Sequence, residues 1–245
     1  MANNNSIQNL HWLDIDDPEA PFPALTSALT DPDGLLAFGG DLSITRLLKA
    51  YRLGIFPWYS DSQPIMWWSP DPRMVLFPKD LKISRSLAKT CRKHIYQITL
   101  NKAFPEVIHA CAQPRSDHEG TWITNEMQHA YCALHNAGHA HSVEAWQGDQ
   151  LVGGLYGIAI GQVFFGESMF ARATDASKVA FVHLVRLLQS WDFQLIDCQV
   201  DSSHLQSLGA SQLSRAEFSH YLDSYCDTQA SNANWNTDVI TMDIN

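Results

Sequence analysis

Hydrophobic positions along this chain recur with two periods, and the places where polar residues break them are the informative ones. In Phe193–Val200, alternation puts Phe193, Leu195, Asp197 and Gln199 on one face of a strand, with Gln194, Ile196, Cys198 and Val200 on the other. An acid and an amide about 7 Å apart at Cα thus end an otherwise apolar face. The run Gln162–Phe170 breaks in the same way. Val163, Phe165, Glu167 and Met169 share one face, so a carboxylate stands among large apolar side chains. Burying an unpaired carboxylate is costly, so both acids require partners. One reading is structural: Asp197 satisfied by Gln199, and Glu167 by an Arg or a backbone amide. The other is a cleft lined by apolar and ionisable groups together, the usual make-up of a catalytic or small-ligand pocket.

The remaining pattern predicts an α+β order. Ser43 caps a helix with the apolar stripe Ile44, Leu47, Leu48 and Tyr51, and Gly54 suits its C′ position. Helices are predicted over Ser84–Lys93, Ala103–Cys111 and Thr124–Asn136. Strands follow at His141–Gln147, Gln150–Ile160 and Val163–Met169, the first two joined by a Gly148-Asp149 turn. Ser177–Ser190 reads as a helix burying Phe181, Leu184, Val185 and Leu188, with His183, Arg186 and Ser190 opposite. Then come the Phe193–Val200 strand and helices around Ser203–Leu208 and Arg215–Tyr225. The Pro-rich break Ser69-Pro-Asp-Pro72 marks a boundary. The expected division is a polar leader of little fixed structure over 1–20, a small N-terminal domain over 21–72, a larger domain over 73–226 and a polar tail over 227–245.

Composition narrows the class. With 245 residues, 45% hydrophobic and only 17% charged, the chain can build a real core. Met1-Ala-Asn-Asn-Asn5 is no signal peptide, and Leu151–Gly166 falls short of the roughly 20 apolar residues a membrane helix needs. Five cysteines without a C-x-x-C pair fit reduced thiols and a cytoplasmic location. The net charge of −10 hides a local inversion: Lys82–Pro105 holds six basic residues and no acid, leaving −16 for the rest. On the predicted helix Arg85, Lys89, Arg92 and Lys93 recur at mostly helical spacing. They form either an ordinary solvated face or a patch able to meet several phosphates.

Other chemistries fit poorly. His135, His139 and His141 straddle a helix end and a strand start, so convergence on a metal is unsupported. Cys198 is turned by alternation away from Asp197 and Gln199. Gln150-Leu-Val-Gly-Gly-Leu155 sits inside a predicted strand and lacks the last glycine of a pyrophosphate loop, and Gly34–Gly40 lacks nucleotide-loop spacing. No cofactor and no metal are expected.

An ordered series of blocks resembles the bacterial leucyl/phenylalanyl-tRNA–protein transferase family. In the N-terminal half they are Pro32-Asp-Gly-Leu-Leu36, Gly39-Gly-Asp-Leu-Ser43, Gly54-Ile-Phe-Pro-Trp58 and Trp67-Trp-Ser-Pro-Asp-Pro-Arg73. Ile83-Ser-Arg-Ser86, Gly120-Thr-Trp-Ile123 and Gly138-His-Ala-His-Ser142 follow. Gly166-Glu-Ser-Met-Phe170, Ala176-Ser-Lys178, Leu195-Ile-Asp-Cys-Gln-Val200 and His204-Leu-Gln-Ser-Leu-Gly-Ala210 complete the order.

The resemblance implies a domain similar to the GCN5-related N-acetyltransferases, with a mixed or antiparallel sheet flanked by helices. It implies transfer of Leu or Phe, less well Met, from aminoacyl-tRNA to the α-amine of proteins beginning with Arg or Lys, marking them for N-end-rule degradation. Asp197, Gln199 and Glu167 are the expected catalytic residues: Gln199 accepts from the attacking amine, Asp197 polarises that amide, and Glu167 meets the acceptor's cation or orients the ester; proton transfer assisted by the tRNA ribose hydroxyl is the alternative to this relay. Trp58 and Trp122 are expected to cradle the terminal adenosine and aminoacyl group. Leu155, Phe165 and Met169 are expected to line the side-chain pocket. Arg85, Lys89, Arg92 and Lys93 are expected to meet the tRNA. The rivals are a non-catalytic tRNA- or peptide-binding module and a small-molecule acyltransferase of the same fold.

Overall fold

A computed structural model describes residues 10–114, 122–231, 233–235 and 240. Two sheets organise it. The smaller contains β1 (His11–Leu13), β2 (Leu35–Gly39), β3 (Phe56–Pro57) and β4 (Met66–Trp68) in the order β1-β2-β4-β3. Helix α1 (Ile44–Arg52) connects β2 to β3. Ser43 caps it by accepting from the Arg46 amide, and Gly54 follows its end with φ +75°.

Part of the predicted leader is ordered. Strand β1 lies parallel to β2 and buries Leu13. The fully buried guanidinium of Arg46 donates to the backbone carbonyls of Asp14 at 3.0 Å and Ala20 at 3.3 Å, and to that of Asp17. One long-range cation thus satisfies carbonyls that no local pattern accounts for.

The larger sheet comprises β5 (Arg73–Leu76), β6 (Gln97–Leu100), β7 (Ala140–Gln147), β8 (Gln150–Ile160), β9 (Val163–Ala171), β10 (Leu195–Gln199) and β11 (Ser211–Leu213). Its order is β11-β5-β10-β9-β8-β7-β6, antiparallel except between β9 and β10. The helices are α2 (Arg85–Arg92), α3 (Phe104–Cys111), α4 (Asn125–Asn136), α5 (Ala176–Ser190), α6 (Ser203–Ser207) and α7 (Arg215–Tyr225). Strands β5 and β6 carry no alternation that announces them: all of β5 is buried, as are three of the four residues of β6.

Each face of the large sheet has its own core. On one, α3, α4, α7 and the N-terminal unit pack together through Phe104, Val107, Tyr131, Phe218, Tyr51 and Trp67. On the other, α5 is laid over the sheet with α2 beside it, through Val179, Val182, Leu184, Leu188, Leu87 and Cys91. His183, predicted on the open side of its helix, is buried here. Its Nδ1 lies 2.8 Å from the Val179 carbonyl, and burial lowers its pKa. The class is therefore α+β: a small N-terminal unit, then a larger mixed sheet flanked by helices.

Candidate active site

The site opens where two parallel strands part. Strands β9 and β10 pair only from Leu195↔Val163 to Asp197↔Phe165. Beyond that point β9 stays with β8 and β10 stays with β5, leaving a cavity of about 370 Å³ between them. Each strand carries a bulge at the fork. Gly157 faces Gly166 while Tyr156 faces Ser168, so Glu167 is the extra residue of β9. Val75 faces Asp197 while Met74 faces Gln199, so Cys198 is the extra residue of β10. A bulge re-aims the side chains around it.

The bulge in β9 corrects one expectation. Alternation places Phe165 and Met169 on one face, but the inserted residue puts them on opposite faces. Met169 lines the cavity beside Leu155, its partner in register. Phe165 is instead fully buried in the other core, edge-on to Tyr51 at 5.2 Å, and does not line the cavity. The bulge in β10 likewise brings Cys198 to the cavity wall, although alternation turns it away. Burial raises its thiol pKa far above the ordinary range, which disfavours the thiolate.

Glu167 sits at the cavity floor and accepts three neutral hydrogen bonds. Tyr51 Oη donates at 2.8 Å and Gln199 Nε2 at 2.8 Å to one carboxylate oxygen, and Tyr131 Oη donates at 2.9 Å to the other. The two tyrosine hydroxyls also touch each other, so their two protons are shared among three close oxygen contacts. Burial is the largest influence on Glu167 and, with the Asp197 charge, outweighs these donors, raising its pKa to about 7. Burial and the Glu167 charge push both tyrosines well above their ordinary value.

Asp197 is fully buried and bound differently. Arg73 grips it with two hydrogen bonds, Nε to Oδ1 at 2.8 Å and Nη2 to Oδ2 at 2.7 Å. The guanidinium lies between the rings of Phe56 at 4.7 Å and Phe218 at 4.8 Å. Asp197 Oδ1 also accepts from the backbone N–H of Gln199 at 2.9 Å, across a turn where Gln199 has φ +64°. Asp197 thus holds the Gln199 backbone, while the Gln199 side-chain amide is held by Glu167. The expected contact between the Asp197 carboxylate and that amide is replaced by these two, because the bulge sets the two side chains at different angles.

Trp58 and Trp122 both line the cavity. Trp58 is 43% exposed at its mouth, its ring 5.6 Å from that of Trp68, whose Nε1 donates to the Trp58 carbonyl at 2.7 Å. Trp122 is half-buried, and its motif neighbours Gly120 and Thr121 lie outside the described residues. Arg85, Lys89 and Arg92 are exposed on α2, as is Lys93 at its cap, while Leu87 and Cys91 face the core. None of the four basic residues lines the cavity.

Three participants carry no sequence signal for the site: Arg73 is the last letter of a motif, Tyr51 is a core position of its helix, and Tyr131 has no local pattern. Among the described residues no group of three His, Cys, Asp or Glu side chains is placed to hold a metal. His135 stacks on Phe104 at 4.3 Å, and His141 stacks on Trp235 at 3.9 Å.

Comparison with known proteins bears on this arrangement. A family profile described as leucyl/phenylalanyl-tRNA protein transferase matches residues 75–223, and the profile of that family's N-terminal domain matches residues 40–71. A Nitrosomonas europaea protein named leucyl/phenylalanyl-tRNA–protein transferase is 58% identical, over 89% of this chain and 92% of its own. Proteins of the same name from Ectopseudomonas mendocina and Methylococcus capsulatus are 58% and 54% identical. Each alignment covers 92% of this chain, with 99% and 96% of theirs. Among solved structures, L-PGS from Bacillus licheniformis gives a TM-score of 0.39 at 7% identity, covering 68% of this chain and 53% of that one. A conserved Staphylococcus epidermidis protein gives 0.41 at 12% identity, covering 74% and 68%. At those scores the structural likeness carries no weight. The sequence relationship does, and this chain belongs to the leucyl/phenylalanyl-tRNA–protein transferase family.

Proposed function

We propose that this protein is an aminoacyltransferase that moves Leu or Phe, and less well Met, from aminoacyl-tRNA to the α-amine of proteins beginning with Arg or Lys, tagging them for N-end-rule degradation in the cytoplasm. The observation that carries this reading is family membership at 54–58% identity over most of the chain. The cavity supports it, with aromatic rings at the mouth and a largely apolar interior around the Glu167 and Asp197 carboxyls. Among the described residues no helix is long and apolar enough to cross a membrane.

The reaction is aminolysis of an ester. The acceptor's nitrogen forms a bond to the aminoacyl carbonyl carbon, the bond from that carbon to the ribose oxygen breaks, and the amine's proton ends on that oxygen. The ester is already activated, so the site must mainly hold a neutral amine against the carbonyl, and positioning supplies much of the rate. An α-amine of pKa ~7.7–8 requires only modest help to be neutral.

Gln199 is suited to that task. Glu167 engages its amide nitrogen, which leaves the amide oxygen to accept from the attacking amine. Glu167, near neutrality, strengthens that oxygen when ionised and can shift proton density through the amide. Three donors already surround Glu167, so it acts through Gln199 rather than by meeting the acceptor's cation. Asp197 and Arg73 hold the turn that presents Gln199 and are positioning residues. Leu155 and Met169 shape an adaptable wall for unbranched or aromatic side chains. Trp58 and Trp122 offer faces to the terminal adenosine, such stacking being worth ~1–3 kcal/mol per base. Arg85, Lys89, Arg92 and Lys93 serve the tRNA phosphates.

The test is transfer of radiolabelled Phe from Phe-tRNA to a protein with N-terminal Arg, with N-terminal Ala as control and no ATP. Label on the Arg protein alone is expected. Tight Phe-tRNA binding without transfer would replace the reading by a binding module.

A further inference from the structure

The wall of the cavity is braced from outside by a segment beyond the family profile. Phe164 is almost fully buried and lines the cavity. Its ring lies over Gly157 of β8, where a Cβ would come within 2.6 Å of the ring, so the absent side chain makes room for it. Trp235, which does not line the cavity, stacks on the same ring at 5.9 Å and 24°. Trp235 occupies a socket of four rings: His141 at 3.9 Å and 8°, Trp191 at 4.9 Å, Phe193 at 6.3 Å, and Phe164 itself.

The backbone of this segment is tied down as well. Asn101 Nδ2 donates to the Trp235 carbonyl at 2.8 Å, and the Asn101 Oδ1 accepts from Ser142 N at 2.9 Å. Ser231 N donates to the Trp191 carbonyl at 3.1 Å, and Ile240 N to the Ile98 carbonyl at 2.9 Å. The family profile ends at residue 223, before all of this. The Ectopseudomonas mendocina relative is matched over 99% of its length by only 92% of this chain.

We propose that Trp235 is a positioning residue for donor selection: it fixes the Phe164 ring between itself and Gly157, and so sets the width of the cavity that receives the aminoacyl side chain. The proposal rests on the function given above for that cavity. Close-packed interiors transmit displacement, so a gap behind a ring allows the ring to retreat. A narrow wall favours a fit to Leu, and a retreating one gains room for the longer, wider Phe.

The experiment compares wild type with Trp235→Ala, Trp235→Leu and Trp235→Phe in the full-length chain. It measures kcat/KM for Leu-tRNA and Phe-tRNA donors and determines crystal structures of wild type and variant. Trp235→Ala is expected to shift the Leu-to-Phe ratio toward Phe by about threefold, less than the tenfold or more that a whole methylene commands in an apolar pocket. Trp235→Phe, which keeps a ring face, is expected to restore most of the ratio. Should the Ala variant not fold, Trp235→Leu fills the socket without a ring face and reports the same shift. The crystal structures are expected to show the Phe164 ring displaced toward the vacated socket. Equal loss for both donors, an unchanged ratio, or an unmoved Phe164 ring overturns the proposal. A wild type that transfers neither amino acid removes the reading of function, and the Phe164 ring position still decides the brace.

Discussion

Two buried carboxylates stand on either side of one fork, and their surroundings are opposite. Asp197 meets a guanidinium held between two aromatic rings, with two hydrogen bonds of fixed geometry. Glu167 meets two phenols and an amide, donors without a positive charge. A cation beside a carboxylate compensates for its lost hydration, whereas neutral dipoles do so only in part. Glu167 therefore titrates near neutrality, at about 7. One carboxylate is equipped to hold a turn and the other to respond to a proton, although alternation alone would class them as the same feature.

The largest effect is expected from breaking the charged half. Asp197→Ala strands the Arg73 guanidinium in the core. Removing one partner of a buried pair costs on the order of 3–5 kcal/mol, so a large fall in the melting temperature should accompany loss of transfer. If Asp197→Ala melts like wild type, the pair is not holding the fork. Asp197→Asn sharpens the test by keeping shape while removing charge, and an active, stable Asn variant would show that hydrogen bonding alone suffices.

Glu167→Gln probes the neutral half, with an expected loss in kcat of about 10²-fold, the low end for a group that assists proton transfer. Its pH dependence is more telling. The folded pKa lies at about 7, above the ordinary ~4.3 of an unfolded glutamate. The folded state then binds the extra proton between those values. Stability from this group is greatest below the lower value and falls as pH rises through the upper one, by on the order of 3 kcal/mol in all. Denaturant titrations should show wild type losing stability relative to Glu167→Gln between pH 5 and about pH 8, a window spanning that pKa. The variant's transfer profile should keep only the ionisation of the acceptor amine. A wild-type curve parallel to the variant's would show that Glu167 does not titrate there.

Smallest is the effect of charges remote from the fork. Neutralising Lys89, Arg92 and Lys93 together should leave the melting temperature unchanged, weaken Phe-tRNA binding and reduce the slope of log K against log salt by about 2–3. An unaltered slope moves the tRNA footprint off α2.

Much of the fold was legible because it is written in local periodicity. Helices α1, α2 and α5 and strands β9 and β10 show a stripe or an alternation that a short window contains. Strands β1, β5, β6 and β11 do not. They are very short or buried on both faces, and the segment that follows β1 is held by Arg46, a residue from a later helix. The site divides similarly. Asp197, Gln199 and Glu167 were conspicuous as polar interruptions of apolar faces, and Trp58, Trp122, Leu155 and Met169 do line the cavity. Phe165 does not share the cavity face because the bulge at Glu167 inserts one residue and reverses Met169 relative to it, a change that leaves no mark in composition.

By itself the sequence determined the family, the α+β class and the identity of the two inward carboxylates, since each rests on a local pattern or an ordered set of motifs. Tertiary structure alone decided which partner each acid received, because Arg73, Tyr51 and Tyr131 reach the fork from distant elements. It also decided where Trp235 lodges, because the four rings of its socket come from distant parts of the chain. Local periodicity says which way a side chain points from its own backbone; the proton affinity of a buried carboxyl is set by what other segments place against it.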